Sequence, residues 1–167
     1  AAARAPGCRR PQFPRAGMIA IELTGLVGLV GQEIGTSDWM VVSQPQINAF
    51  ADATGDHQWI HVDVARAAVE TPFKSKIAHG FLTLSLLSTL LSGTVAVNGS
   101  RMAINYGLNR VRFVSPVPAG ARIRARVTLS ALTAAEGGWQ AAWTIAVERE
   151  HGDKQCLVAE WLVRYYE

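Results

Sequence analysis

Gly80-Phe81-Leu82-Thr83-Leu84-Ser85-Leu86-Leu87-Ser88-Thr89-Leu90-Leu91 is the most apolar stretch of the chain, and Ser92-Gly93 bounds it. It covers about three helical turns. A membrane-spanning helix needs about 20 residues, so a buried helix is expected. It is too apolar to carry a water-facing side. Something must wrap it, and the second half of the chain supplies the wrapping. Ile123, Ala125, Val127 and Leu129 alternate with Arg122, Arg124, Arg126 and Thr128. Trp139, Ala141, Trp143, Ile145 and Val147 alternate with Gln140, Thr144 and Glu148, and Leu157, Ala159, Trp161, Val163 and Tyr165 alternate with Glu160 and Arg164. A period of two marks strands with one buried face. The turns are Pro116-Val117-Pro118-Ala119-Gly120, Glu136-Gly137-Gly138 and His151-Gly152-Asp153. Such short connections make antiparallel neighbours. The expected fold is α+β: an antiparallel sheet curved around one long apolar helix. Arg122 to Arg126 then read as the solvated face of that sheet.

Upstream, Ser43-Gln44-Pro45-Gln46 is a helix start, with Ser43 as cap, Gln46 at the capping-box position and proline in the first turn. Ile47, Phe50 and Ala51 continue it, and Gly55 stops it. Trp39 to Val42 is expected as a strand. Asp63 is expected to cap a short helix through Val69 that ends near Pro72.

The chain has 167 residues, 49% hydrophobic and 17% charged, which suits one globular domain. The formal charge of +3 is misleading. Arg4, Arg9, Arg10 and Arg15 lie in the first 17 residues, and without them 12 basic residues face 13 acidic ones. No nucleic-acid partner is therefore expected, nor a membrane. Residues 1–17 hold three prolines and no apolar run, so they read as a disordered tail or an upstream or expression-derived extension, with the domain at 18–167. Cys8 and Cys156 are too few for a disulfide framework, which fits a reducing, cytoplasmic setting.

Two segments could carry chemistry. Ala53-Thr54-Gly55-Asp56-His57-Gln58-Trp59-Ile60-His61-Val62-Asp63 packs an acid, two imidazoles and a carboxamide into a loop past a helix end. Asp56 and His61 could converge there on one water as a general acid–base pair. Alternatively, Asp56 simply caps the next turn. In Ile77-Ala78-His79-Gly80-Phe81 a glycine opens the apolar helix. The N–H groups of a first turn lack internal partners and can hold an oxyanion; the other reading is a plain helix start. His57, His61 and His79 lack HExxH or Cys-rich spacing, so no metal is expected. Ser85, Ser88 and Ser92 lack a GxSxG elbow, and no phosphate-binding glycine loop is present. Arg110 and Arg112 could meet a phosphate.

Together the two segments resemble the MaoC-like, (R)-specific enoyl-CoA hydratase family. Its motif runs roughly Gly-Asp-x-Asn-Pro-hydrophobic-His-x-Asp; here Gly55-Asp56-His57-Gln58-Trp59-Ile60-His61-Val62-Asp63 stands in its place, followed by His79-Gly80-Phe81. The Gln-Trp variant is similar to the NodN-like branch and to short single-domain actinobacterial hydratases. The resemblance runs from about Val30 to Tyr166. It implies a single hot-dog domain that hydrates trans-2-enoyl-CoA to (R)-3-hydroxyacyl-CoA. Asp56 and His61 would activate water, and the Gly80 N–H would hold the thioester oxyanion. Gln58, Trp59, His79, Ser88, Arg110 and Arg112 would be substrate contacts, with Trp59 narrowing or filling the acyl pocket. No cofactor is implied, since the CoA thioester is itself the substrate, and a homodimer is. The rival expectations are a hot-dog thioesterase and a non-catalytic acyl-CoA or acyl-carrier binding module.

Overall fold

The computed structural model describes residues 18–167; the tail expected at residues 1–17 lies outside them. Three long strands follow the alternation read in the sequence: β6 (Arg122–Ala135), β7 (Gly138–Arg149) and β8 (Leu157–Tyr166). Their inward residues meet in rows across the sheet. Val127 opposes Ile145, which opposes Ala159, and Leu129 opposes Trp143, which opposes Trp161. All six are buried. A bulge between Leu129 and Ala131 bends β6. At the β6–β7 turn, a Cβ on Gly138 would lie 2.1 Å from the Tyr165 carbonyl oxygen, so the backbones meet there only because the residue is glycine.

Among the described residues five further strands precede β6, and only the one within Trp39 to Val42 was expected. β1 (Ile19–Glu22) leads into a 3-10 helix over Leu23–Leu29, then β2 (Glu33–Thr36) and the two-residue β3 (Met40–Val41). β4 (Val95–Asn98) pairs in parallel with β1. β5 (Met102–Phe113) is a 12-residue strand along β8. The sheet order is β2-β6-β7-β8-β5, with β3 also on β6, and every pairing within it is antiparallel.

Helices α1 (Gln44–Thr54) and α3 (Val64–Glu70) carry the expected caps, while the one-turn α2 (Trp59–Val62), within the stretch read as a loop, has no side-chain cap. Ser43 accepts from the Gln46 N–H at 3.4 Å, Gly55 ends α1 at φ 77°, and Asp63 accepts from the Arg66 N–H at 3.0 Å. The central helix departs from expectation twice. It is interrupted at Leu86, giving α4 (Gly80–Ser85) and α5 (Leu87–Thr94). Just before the break the Ser85 hydroxyl donates back to the Phe81 carbonyl at 2.8 Å, a bond that bends helices. It also has a water-facing side. Leu82, Leu86, Leu87, Leu90 and Leu91 are buried against the sheet, while Phe81, Ser85, Ser88 and Ser92 are exposed. Each buried leucine contributes roughly 1.5–3 kcal/mol. The exposed residues recur at helical spacing and border β5. Their serines line two cavities of about 530 and 220 Å³ whose other walls include Asn105 and Trp161. The sheet wraps the helix on the β6–β8 side and leaves a groove beside β5. No described helix is long and apolar enough to cross a membrane.

Candidate active site

The polar centre lies where the end of α1, the short α2 and the start of α4 meet. His61 sits within α2 and is buried. Its Nδ1 is 2.7 Å from the Ile77 carbonyl oxygen. A carbonyl can only accept, so Nδ1 carries the proton and Nε2 is left with its lone pair. Burial is the largest influence on this imidazole and pushes its pKa below the ordinary histidine value; the Ile77 bond raises it, His79 lowers it and Asp56 raises it. The result is a neutral imidazole held in one tautomer, a form that can accept a proton.

His79, the cap residue of α4, is 2% exposed. Its Nε2 is 2.9 Å from the Asp56 carbonyl oxygen, and its ring stacks on that of His61 at 3.7 Å. Asp56 follows α1 directly and is exposed. One carboxylate oxygen lies 4.0 Å from His79 Nε2, while the other accepts from the Gln58 N–H at 3.3 Å. Donor atoms of Asp56, His61 and His79 all fall within 4.8 Å of one another. This is the cluster best placed to take a metal among the described residues. A cation drawing on His61 Nδ1 or His79 Nε2 would first have to displace a hydrogen bond to a backbone carbonyl. The arrangement therefore suits proton transfer better than coordination.

Beside His61 is a cavity of about 340 Å³, walled by Gly80, Thr83, Phe113, Val117 and Cys156 among others. Gly80 opens α4, so its N–H has no helical partner behind it. A Cβ there would come within 3.1–3.2 Å of the Phe113 ring, so glycine lets that ring close over the helix start. Burial raises the Cys156 thiol pKa, which keeps it protonated and poorly reactive.

The structure brings Asp56, His61 and His79 together and puts His61 and Gly80 on one cavity, but Asp56 is not in that cavity's wall. His57 points elsewhere, with Nε2 3.7 Å from Asp52. The expected substrate contacts are scattered. Trp59 does not line the His61 cavity; its ring takes the Arg66 guanidinium at 4.2 Å. Gln58 is exposed in the loop, and His79 lies behind the cavity wall. Ser88 borders the two cavities beside β5, and Arg110 and Arg112 are exposed on β5, the latter donating to the Val111 carbonyl at 2.8 Å. Two participants escaped the sequence reading. The Ile77 carbonyl, which sets the His61 tautomer, stands two residues before His79. Phe113 belongs to a strand whose alternation changes phase at a bulge between Leu108 and Arg110.

A model of the MaoC-like domain matches residues 26–148. The chain belongs to the MaoC-like dehydratase family. Among its relatives is 3-hydroxyacyl-thioester dehydratase Z of Mycobacterium tuberculosis, 50% identical over 141 residues, which are 84% of this chain and 93% of that one. Nodulation protein N of Rhizobium meliloti is 48% identical over 147 residues, 87% and 91% of the two chains. Among solved structures, the unliganded R-hydratase PhaJ1 of Pseudomonas aeruginosa superposes with a TM-score of 0.66 at 27% identity, covering 83% of this chain and 82% of that one. The (R)-hydratase of A. caviae involved in PHA biosynthesis gives 0.65 at 28%, covering 80% and 96%. The fold is the family's hot-dog, and its dehydratase and hydratase relatives support a hydratase-type lyase.

Proposed function

We propose that the chain catalyses the reversible syn addition of water to trans-2-enoyl-CoA, giving (R)-3-hydroxyacyl-CoA. The observation that carries the reading is the His61 tautomer: a buried, neutral imidazole whose Nε2 lone pair is left for a proton, with a carboxylate within 4.8 Å and an unpartnered helix-start N–H on the adjoining cavity. The Gly80 N–H donates to the thioester oxygen as negative charge gathers on it and so makes C3 electrophilic. As the water oxygen bonds to C3, one of its protons passes to the Asp56–His61 pair. The pair returns a proton to C2 on the same face, the C2–C3 double bond becomes single, and the thioester carbonyl is restored. The exposed Arg110 and Arg112 are available to the phosphates of CoA. The names of the dehydratase and hydratase relatives agree with this class of reaction.

The active form is read as a homodimer. Among the described residues β5 has no partner strand on its outer edge, and its Met102, Ile104, Tyr106 and Leu108 are exposed. Such an edge is a template for another strand, and the groove between β5 and the central helix needs a further wall.

The test is spectroscopic. Crotonyl-CoA and longer enoyl-CoA homologues are mixed with the protein, and loss of the enoyl thioester absorbance is followed while free thiol is titrated in parallel. Hydration without thiol release is expected. Thiol release would make the chain a thioesterase, and tight binding with neither change would make it a binding module.

A further inference from the structure

Accepting the hydratase reading, one buried side chain has no part in it. His79 does not line the cavity and makes no hydrogen bond to a reacting group, its Nε2 standing 4.0 Å from the Asp56 carboxylate, yet it touches each part of the polar centre. Its Nε2 meets the Asp56 carbonyl at 2.9 Å, its ring lies on His61 at 3.7 Å and 26°, and it is the residue directly before Gly80. On its other flank the Phe50 ring of α1 packs at 5.0 Å. Its backbone carbonyl accepts from the Thr83 N–H at 3.1 Å, which ties it to α4.

We propose that His79 is the positioning residue of the site, fixing the Asp56 loop and the His61 ring against the start of α4. Since a carbonyl only accepts, the 2.9 Å contact makes Nε2 the protonated nitrogen of His79. Its Nδ1 is buried with no hydrogen-bond partner in the structure. A solely structural histidine has little reason to leave a polar atom so placed, because an unmade buried hydrogen bond is costly. The cost is understandable if this tautomer is required for the Asp56 contact. The other bonds of the Asp56 loop are local. Asp56 to Gln58 are all exposed, the Asp56 N–H reaches the Thr54 hydroxyl at 3.4 Å, the His57 N–H the Gly55 carbonyl at 3.2 Å and the Gln58 N–H the Asp56 carboxylate at 3.3 Å. The Gln58 carbonyl accepts from the His61 N–H at 2.9 Å, so of the bonds to Asp56 itself only that from His79 comes from outside the loop. The ring contact does the second task. Stacking at 26° limits rotation of the His61 imidazole about the axis that its Ile77 bond leaves open.

Two variants separate the tasks. His79→Phe keeps an aromatic ring for His61 and removes the hydrogen bond. His79→Gln keeps an N–H for the Asp56 carbonyl and removes the stack. The expected result for His79→Phe is a fall in kcat of about 10²-fold, the scale of a 1 Å misplacement, with KM for crotonyl-CoA nearly unchanged and faster amide exchange over residues 55–60. His79→Gln should recover part of the kcat and restore slow exchange in that segment. A folded His79→Phe with normal kcat, or one whose whole defect lies in KM, overturns the proposal. Long-range ¹H–¹⁵N spectra of the unaltered protein near neutral pH keep the question decidable if His79→Phe fails to fold: the proton must be on Nε2 of His79, and a proton on Nδ1 overturns the proposal. If the unaltered protein hydrates no enoyl thioester, the hydratase reading fails, while the tautomer and the exchange of residues 55–60 still decide whether His79 holds the loop.

Discussion

Replacing His61 by glutamine tests the proposed chemistry most directly. The Nδ1–H donates to Ile77 at 2.7 Å, and a glutamine amide can supply an N–H to the same carbonyl. The side chain stays buried and hydrogen-bonded, so the fold should survive. What disappears is the Nε2 lone pair. A positioned acid or base is worth about 10²–10⁴-fold in rate, which is about 2.7–5.4 kcal/mol of barrier at 1.36 kcal/mol per tenfold. Asp56→Asn keeps the shape of that side chain and removes its charge, and should fall in the same range. Both residues are expected to serve one water, so the double variant should be little slower than the worse single one. Binding of a saturated acyl-CoA should survive both changes. The assay is loss of enoyl absorbance under single-turnover and steady-state conditions, with melting curves for each variant. A folded Asp56→Asn that hydrates at nearly the normal rate would refute the pairing. Asp56 would then be what its bond to the Gln58 N–H also allows, the cap of a turn.

Burial holds His61 below the ordinary histidine pKa of 6.5, so the acid limb of kcat/KM should lie below that value; a limb well above it would contradict the neutral-base role. The same shift has a stability consequence. The folded state disfavours the proton, so the contribution is complete above 6.5 and is lost as pH falls through the lower folded value; His61→Gln should flatten this part of a urea midpoint–pH curve. Leu87→Ala, at a 2% exposed site on α5, should cost 2–5 kcal/mol by the usual range of about that size for buried leucine, and a midpoint shift equivalent to under 1 kcal/mol would put that helix outside the core. Light scattering at micromolar concentration should give a dimer, and Ile104→Lys on β5 should weaken it; a fully active monomer would remove the β5 edge from the account.

The sheet was legible where burial is one-sided. β6, β7 and β8 each bury one face, and every inward residue from Ile123 to Val147 in the alternation, except Trp139 at the rim, is buried. β5 was not read as a strand although its apolar residues alternate, at Met102, Ile104, Tyr106 and Leu108 and then at Val111 and Phe113, because the phase changes at the bulge between Leu108 and Arg110 and most of the strand is exposed in the single chain. β1, β2 and β4 are four residues each, too short for a period to show. The exposed side of the central helix was hidden for a related reason: Phe81 and the interspersed serines read as apolar or neutral, although they face a groove rather than the sheet. At the site, the loop and the helix start could each be picked out, but not the Ile77 carbonyl, since a backbone oxygen has no signature in sequence.

The departure from the family motif at Gln58-Trp59 removes a proline and, with it, a fixed φ in the site loop. The loop is nonetheless held from outside. The Ile77 N–H donates to the Ile60 carbonyl at 3.1 Å, and the Gln44 amide donates to the His61 carbonyl at 2.9 Å. His61 returns a bond to Ile77, and His79 reaches the Asp56 carbonyl. None of these restraints is written at positions 58 or 59. The Gln58 N–H donates to the Asp56 carboxylate through its backbone, which any residue except proline could do. Trp59 turns outward onto Arg66, so its bulk falls beside α3 and not in the wall of the His61 cavity. The substitution therefore changes the outer side of the loop and leaves the polar centre to be set by Gln44, Ile77 and His79. Exchanging Trp59 for alanine should then lower stability by a modest amount, on the order of 1 kcal/mol from the lost contact with Arg66 and partial burial, with kcat for crotonyl-CoA held within a few-fold. A loss of kcat comparable to that of His61→Gln, in a variant that still melts cooperatively, would mean that Trp59 shapes the reacting geometry after all.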